Sequence, residues 1–386
     1  MNDFGFWIFS TIQKKMKKAI VNARIYTGEK IISGKILVFE NGIITAIQKN
    51  IPKNVETIDL SGFNISAGFI DTHINGGEKY YLTQHPTEET IHDIYTSSLK
   101  YGTTHVLPCL ITSPLENILK GIEVMKNYKA KYNNGVLGMH LEGPFISPAK
   151  RGAHLLEYVR TPTNAELEEI IKYGKDVIRI MTIAPEVFTD AQLDMLLESG
   201  ITISAGHSNM TYKQAQYYFS KGIKLVTHLY NAMNQFGHRE PGLVGAVFQN
   251  ENVYAPIILD GFHCDYAAAA IAHQLKKEKL FLISDALFLS RKVKQFNWGT
   301  FDAQLREGSY RNSENNLAGA AISMAEAVSN AVQYAGFSLE EAINAATIIP
   351  AKAIGMSDKI GKIAVGYPAS FTKFSDDLKI VEAMML

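Results

Sequence analysis

Seven polar or ionisable positions in this chain close, or closely follow, short apolar runs. His73 and Asn75 end the run that starts at Gly68, and Glu142 ends Val136–Glu142. His207 closes Ile201–His207 and His228 closes Lys224–His228. His263 follows Ala255–Asp260, and Asp285 closes Leu280–Asp285. Two imidazoles with one carboxylate are the ligand set of many catalytic zinc sites, which leave a position open for water. Glu142, His207 and His228 are therefore the expected ligands of one divalent metal. Zinc leads, and imidazole–carboxylate donors also accept iron, manganese or cobalt. A metal lowers the pKa of its water towards about 7, and a base must then take the proton. Asp285, outside the ligand set, is the expected base. Each residue alone has a plainer reading: a hydrogen-bonded core histidine, or an aspartate capping a turn. Their recurrence at the same end of successive apolar runs favours chemistry.

Two loops add to this set. Glu142-Gly-Pro-Phe-Ile-Ser-Pro-Ala-Lys-Arg-Gly-Ala-His154 carries two prolines and two glycines, as a constrained loop over a site would. Asn231-Ala232-Met233 follows His228, and Arg239 lies in the turn-rich Gly237–Gly242. Backbone N–H groups beside a guanidinium suit a phosphate. A solvated loop arginine is the alternative.

Residues this far apart in sequence meet only if the fold gathers strand ends. Eight apolar runs, beginning near residues 68, 104, 136, 177, 201, 224, 255 and 280, alternate with amphipathic stretches such as 87–100, 164–173, 190–199, 211–221 and 266–276. Alternating strands and helices imply βα units and a parallel sheet. Eight of them match a (β/α)8 TIM barrel, whose chemistry sits at the C-terminal strand ends; a doubly wound sheet is the alternative. Residues 19–60 read instead as short strands, 19–26, 35–40, 43–48 and 55–59, with a hairpin signal at Asn41-Gly42. After helices at 324–334 and 339–346, residues 361–374 read as β again. The β segments at both ends are expected to pair as a small β-sandwich. The expected division is an extension at 1–15, the sandwich at 16–65 and 350–386, and the barrel at 66–349.

The 386 residues balance 38 Lys+Arg against 38 Asp+Glu, which argues against a broad nucleic-acid surface while leaving room for a local phosphate site. Cys109 and Cys264 are too few for a disulfide framework, and a reducing cytoplasm fits. No apolar run approaches the roughly 20 residues of a membrane span. Phe4–Phe9 precedes the basic Lys14–Lys18, the reverse of a signal peptide, so residues 1–15 read as an extension that an upstream start codon would explain.

His140-Leu-Glu-Gly-Pro-Phe145, Lys150-Arg-Gly-Ala-His154, Gly206-His-Ser208, Thr227-His-Leu-Tyr-Asn-Ala-Met233, Leu259-Asp-Gly-Phe-His263 and Ser284-Asp-Ala286 closely resemble the N-acetylglucosamine-6-phosphate deacetylases of the amidohydrolase superfamily. The likeness runs from about residue 18 to 374. It implies a cytoplasmic, metal-dependent hydrolase that removes acetate from N-acetyl-D-glucosamine 6-phosphate, or from an epimer such as N-acetylgalactosamine 6-phosphate. It implies that Glu142, His207 and His228 bind the metal and that Asp285 is the acid/base. His154 and His263 would contact substrate, and Asn231 and Ala232 would bind phosphate through the backbone. Arg239 would reach the phosphate across the interface of a homodimer, or of a tetramer. Many superfamily members hold a second metal with His-x-His, where this chain has His73-Ile74-Asn75. One metal per subunit is therefore favoured, with a second-metal or polar role for His73 and Asn75 left open. A cyclic-amide hydrolase has no use for Asn231 and Arg239, and a sugar-phosphate-binding barrel without turnover has no use for Asp285.

Overall fold

The computed structural model describes residues 17–386, so the expected extension lies outside the described residues. Strands Phe69–Ile74, Thr103–Ile111, Met139–Glu142, Ile178–Ile183, Thr202–Ala205 and Leu225–Val226 form one parallel sheet in chain order. Ala255–Ile257 and Leu280–Leu282 pair in parallel as the seventh and eighth strands. A parallel bridge from Leu225 to Tyr254 joins strand six to strand seven, and one from Ile74 to Ala286 joins the end of strand eight to strand one. The eight runs read from the sequence thus close into the expected barrel. Both faces of a parallel barrel strand are covered, which is why these runs are apolar rather than alternating.

Helices Glu88–Leu99, Leu115–Lys131, Asn164–Gly174, Asp190–Glu198, Tyr212–Lys221 and Tyr266–Lys276 form the outer layer with Gly242–Gln249. Thr189 with Gln192, and Thr211 with Gln214, form reciprocal capping boxes that fix where two of these helices start. Ile91, Ile94, Leu167, Ile170, Leu193 and Leu196 turn inward and are buried in the main core with the strand residues Val106, Leu141 and Met181. Helix Ile348–Ala353 packs on the first and eighth barrel strands.

The N-terminal β segment and the chain's end build two sheets facing one another. One orders Ile43–Gln48, Ile36–Glu40, Lys18–Val21 and Glu56–Asp59; the other orders Val381–Met385, Ser370–Phe374, Asn64–Ala67, Arg24–Tyr26 and Ile31–Ile32. The single strand expected over 19–26 is in fact two. Asn22 takes a left-handed φ of 63° and its side chain donates to Asp59, so the chain crosses from one sheet to the other there. Ile20, Leu37, Ile25, Ile65 and Phe371 fill the space between the sheets. In the stretch expected to be β over 361–374, only Ser370–Phe374 forms a strand.

A further sheet was absent from the sequence reading. Gln295–Trp298, Phe301–Arg306 and Ser309–Arg311 form an antiparallel meander inserted after strand eight. Phe301, Ala303 and Tyr310 of the meander pack with Tyr81, Leu155, Leu287 and Phe288 as a separate cluster over the barrel's mouth.

Candidate active site and metal centre

Glu142 is the last residue of its strand, and His207 and His228 each follow theirs by two. His207, His228 and Asp285 all adopt left-handed φ values, 47°, 30° and 46°. Such backbone is costly for a residue with a Cβ and persists where the surroundings enforce it. Gly206 permits one of these turns: a Cβ there would lie 2.6 Å from Thr227 Cβ on the neighbouring strand.

The expected ligands converge. Glu142 Oε1 lies 3.1 Å from His207 Nε2 and 3.1 Å from His228 Nε2, and the two Nε2 atoms are 3.1 Å apart. His207 Nδ1 sits 2.9 Å from the Lys150 carbonyl, and His228 Nδ1 sits 3.1 Å from the Asn231 carbonyl. A carbonyl only accepts, so both rings donate through Nδ1 and turn bare Nε2 atoms inward. Three acceptors with no proton between them are mutually repulsive. Ligands about 2.0–2.1 Å from a tetrahedral metal stand roughly 3.3 Å apart, which is nearly this spacing. The donor set therefore fits a divalent cation.

The electrostatics agree. Burial alone would raise the Glu142 pKa, but its neighbours, His73 foremost, outweigh it and hold the carboxyl well below its usual range. Burial alone would lower His73, but Asp285 and Glu142 lift it well above the ordinary histidine value. The centre attracts positive charge, as a proton on His73 or as a bound cation. His73 Nε2 stands 3.3 Å from Glu142 Oε2 and 3.3 Å from Asp285 Oδ1.

Asp285 Oδ1 accepts from Asn75 Nδ2 at 2.8 Å, so strand one orients it. Beneath it Asp71 accepts from the Ser284 and His73 backbone N–H groups and from the Ser284 hydroxyl. Burial, offset only in part by these bonds, pushes the Asp71 pKa up to about 6. His154 comes from the loop over the site. Its Nε2 faces Glu142 Oε2 at 3.6 Å, and its Nδ1 shares a 2.7 Å hydrogen bond with the Thr112 hydroxyl. His263 Nδ1 donates to Asp260 Oδ2 at 2.6 Å, which turns its Nε2 towards the cavity. The sequence reading missed Thr112, Asp260 and Asp71. Asp260 was legible in principle, three residues before a site histidine and at a strand end.

A cavity of about 540 Å³ connects these groups and is lined by Glu142, His154, His207, His228, Asn231, Ala232, His263 and Asp285. Lys150, Arg151 and Asn316 also line it, the last from the connection after the meander. The backbone N–H of Asn231 is engaged by the His228 carbonyl at 2.9 Å, whereas that of Ala232, at φ 50°, has no partner among the described residues. Arg239 lines no part of this cavity; it is exposed on a loop beside Phe236, itself 61% exposed. No helix among the described residues is long and apolar enough to cross a membrane.

An eight-stranded barrel with a flanking β-sandwich and an imidazole–carboxylate centre at its C-terminal mouth defines a class of metal-dependent hydrolases, and comparison with known proteins agrees. Residues 64–385 match the amidohydrolase family, and residues 19–65 match the NagA composite domain; the chain belongs to the amidohydrolase family. More particularly, it is 36% identical over 372 residues to N-acetylglucosamine-6-phosphate deacetylase of Haemophilus influenzae, covering 95% of this chain and 97% of that one. It is also 36% identical to N-acetylgalactosamine-6-phosphate deacetylase of a Shewanella species, over 83% of this chain and 82% of that one. The crystal structure of N-acetylglucosamine-6-phosphate deacetylase from Pasteurella multocida superposes with a TM-score of 0.91 at 38% identity, covering 95% of this chain and 97% of that one.

Proposed function

We propose that this protein hydrolyses the acetamide of N-acetyl-D-glucosamine 6-phosphate, yielding D-glucosamine 6-phosphate and acetate. The observation that carries the reading is the meeting of Glu142 Oε1, His207 Nε2 and His228 Nε2 at 3.1 Å, with Asp285 across the same centre. These three residues would hold one divalent cation, zinc foremost. When bound, such an ion supplies Lewis acidity, which polarises the amide carbonyl and makes water acidic enough to attack at neutral pH.

The chain's own groups do the rest. Asp285 takes the proton of the attacking water through the carboxylate that Asn75 orients. His154 donates through Nε2–H to the oxygen that gains charge. The amine leaves only when protonated, and Asp285 then holds the proton it needs. His263, aligned by Asp260, meets the sugar.

The phosphate would rest against the Ala232 N–H and the Asn231 turn. Because Arg239 is exposed and outside its own cavity, its contribution would come from a second copy in a homodimer. The division into a sandwich at 16–65 and 350–386 around a barrel at 66–349 is part of this reading, as is a cytoplasmic location for a chain whose cysteines are free and buried. The Shewanella relative keeps the galactosamine epimer as the second reading. Acetate release should be compared across the two 6-phosphates and their unphosphorylated sugars. Release from the phosphorylated glucosamine derivative well above the others supports the proposal, and none from either phosphate defeats it.

A further inference from the structure

The loop over the site contributes a cation that the mechanism leaves unused. Lys150 lines the cavity, half-buried, on the short helical turn Pro148–Lys150. Its backbone carbonyl accepts from His207 Nδ1 at 2.9 Å, which fixes the base of the side chain at the rim of the metal centre. Its ammonium reaches across to the turn after His228, where Nζ donates to the Met233 carbonyl at 3.1 Å. Among the described residues Nζ makes that one hydrogen bond and no ion pair. Two of its three N–H groups are therefore unspent.

The turn beneath it suits an anion. Tyr230 and Ala232, on either side of Asn231, adopt left-handed φ values of 78° and 50°, the kind of backbone that points N–H groups into a shared concavity. The N–H groups of Ala232 and Met233 have no partner among the described residues, and both residues line the cavity. The other cations nearby are engaged or absent. Arg151 Nη1 donates to the carbonyls of Gly152 and His154 at 3.3 and 3.1 Å, and its Nη2 lies 3.6 Å from Glu314. His263 is held by Asp260, and Arg239 lies outside the cavity. A phosphate monoester carries about −1.5 to −2 charge at neutral pH, and backbone N–H groups bring no net charge to balance it.

We propose that Lys150 is a ligand of the substrate's 6-phosphate, supplied by the same subunit as the metal centre. Its Nζ would donate to one phosphate oxygen while the Ala232 and Met233 N–H groups hold others, drawing the loop that carries Lys150 onto the turn. The proposal rests on the reading of the substrate as a sugar 6-phosphate, and it names within that reading a residue that sets the preference for the phosphorylated sugar. It differs from the role of Arg239, which depends on a second copy. Lysine binds phosphate as a point charge with rotatable donors, so arginine should serve in its place. Glutamine keeps a donor for the Met233 carbonyl and loses the charge.

The test compares wild type, K150R and K150Q as metal-loaded full chains. Calorimetry measures binding of D-glucosamine 6-phosphate, and acetate release is followed from N-acetyl-D-glucosamine with and without its 6-phosphate. K150Q should weaken binding of the sugar phosphate and raise KM for the phosphorylated substrate by roughly 10- to 100-fold, the worth of one hydrogen bond to a charged group. K150R should recover most of that loss. On the unphosphorylated sugar K150Q should lose far less, with metal content matching wild type. Equal losses on both sugars would make Lys150 a strut of the loop and overturn the proposal, as would a K150Q that binds the sugar phosphate like wild type. Wild type that binds the sugar phosphate and releases no acetate defeats the deacetylase reading, and the binding comparison then decides the role of Lys150 by itself. Wild type that binds no sugar phosphate overturns both. Should K150Q fail to fold, wild type decides alone: D-glucosamine 6-phosphate should slow reductive methylation of Lys150, read by peptide mass spectrometry, and D-glucosamine should not. Equal methylation with and without the sugar phosphate overturns the proposal.

Discussion

Replacing Asp285 with Asn removes a proton acceptor and changes little else. Asn has nearly the same volume, and it tolerates the left-handed backbone that this position adopts at φ 46° better than other side chains do. Its Oδ1 still accepts from Asn75 Nδ2, the 2.8 Å bond that fixes the orientation. Metal binding through Glu142, His207 and His228 and substrate binding through the cavity should both survive. What is lost is the base for the attacking water and the acid for the departing amine. One group of this kind contributes roughly 10²–10⁴-fold, equivalent to about 2.7–5.5 kcal/mol of barrier at about 1.36 kcal/mol per decade. The expected kcat therefore falls at least 10²-fold, with KM and metal content close to wild type. Acetate release under saturating substrate, paired with elemental analysis of the same sample, measures it. A variant that keeps metal and more than about a tenth of the wild-type kcat would show that another group moves the proton, and His263 would be next to examine.

Other substitutions address other parts of the account. His207→Ala or His228→Ala should strip metal and activity together, seen as near-zero metal per chain; full metal content in either would remove that residue from the ligand set. Arg239→Ala, on an exposed loop, should leave folding intact and raise KM for the phosphorylated sugar while barely changing the slow reaction of the unphosphorylated one; equal losses on both would make Arg239 structural. His105 is buried, and burial depresses its pKa from 6.5 to about 4. The unfolded chain thus binds a proton that the folded chain refuses, and stability is lost as pH falls from about 6.5 through about 4. At about 1.36 kcal/mol per pKa unit the loss is about 3 kcal/mol, and His105→Gln should flatten that limb of a denaturation series; an unchanged slope would refute the assignment.

How far the sequence carried the reading varies with physical cause. The eight barrel strands were legible because both faces are buried, giving apolar runs such as Leu280–Leu282, and because the residue at each functional tip is polar against that background. Glu142, His207, His228 and Asp285 stood out for the same reason. The meander at 295–311 did not, although Trp298-Gly299 and Glu307-Gly308 mark its two turns; its strands are half exposed and lack apolar density. Helix Gly242–Gln249 was hidden by the Pro and Gly that open it. The break at Asn22 depends on which sheet each half joins, a tertiary choice that strand propensity does not record. Thr112 and Asp260 act by orienting imidazoles, and that role is visible only once Nδ1 and its partner share coordinates.

The central claim is that a cation held by Glu142, His207 and His228 is required for acetamide hydrolysis in this cavity. Protein stripped of metal should release no acetate from N-acetyl-D-glucosamine 6-phosphate. One equivalent of zinc per chain should restore release, and the same addition to His228→Ala should not. Metal-free protein that turns over at the rate of the reconstituted enzyme would contradict the account.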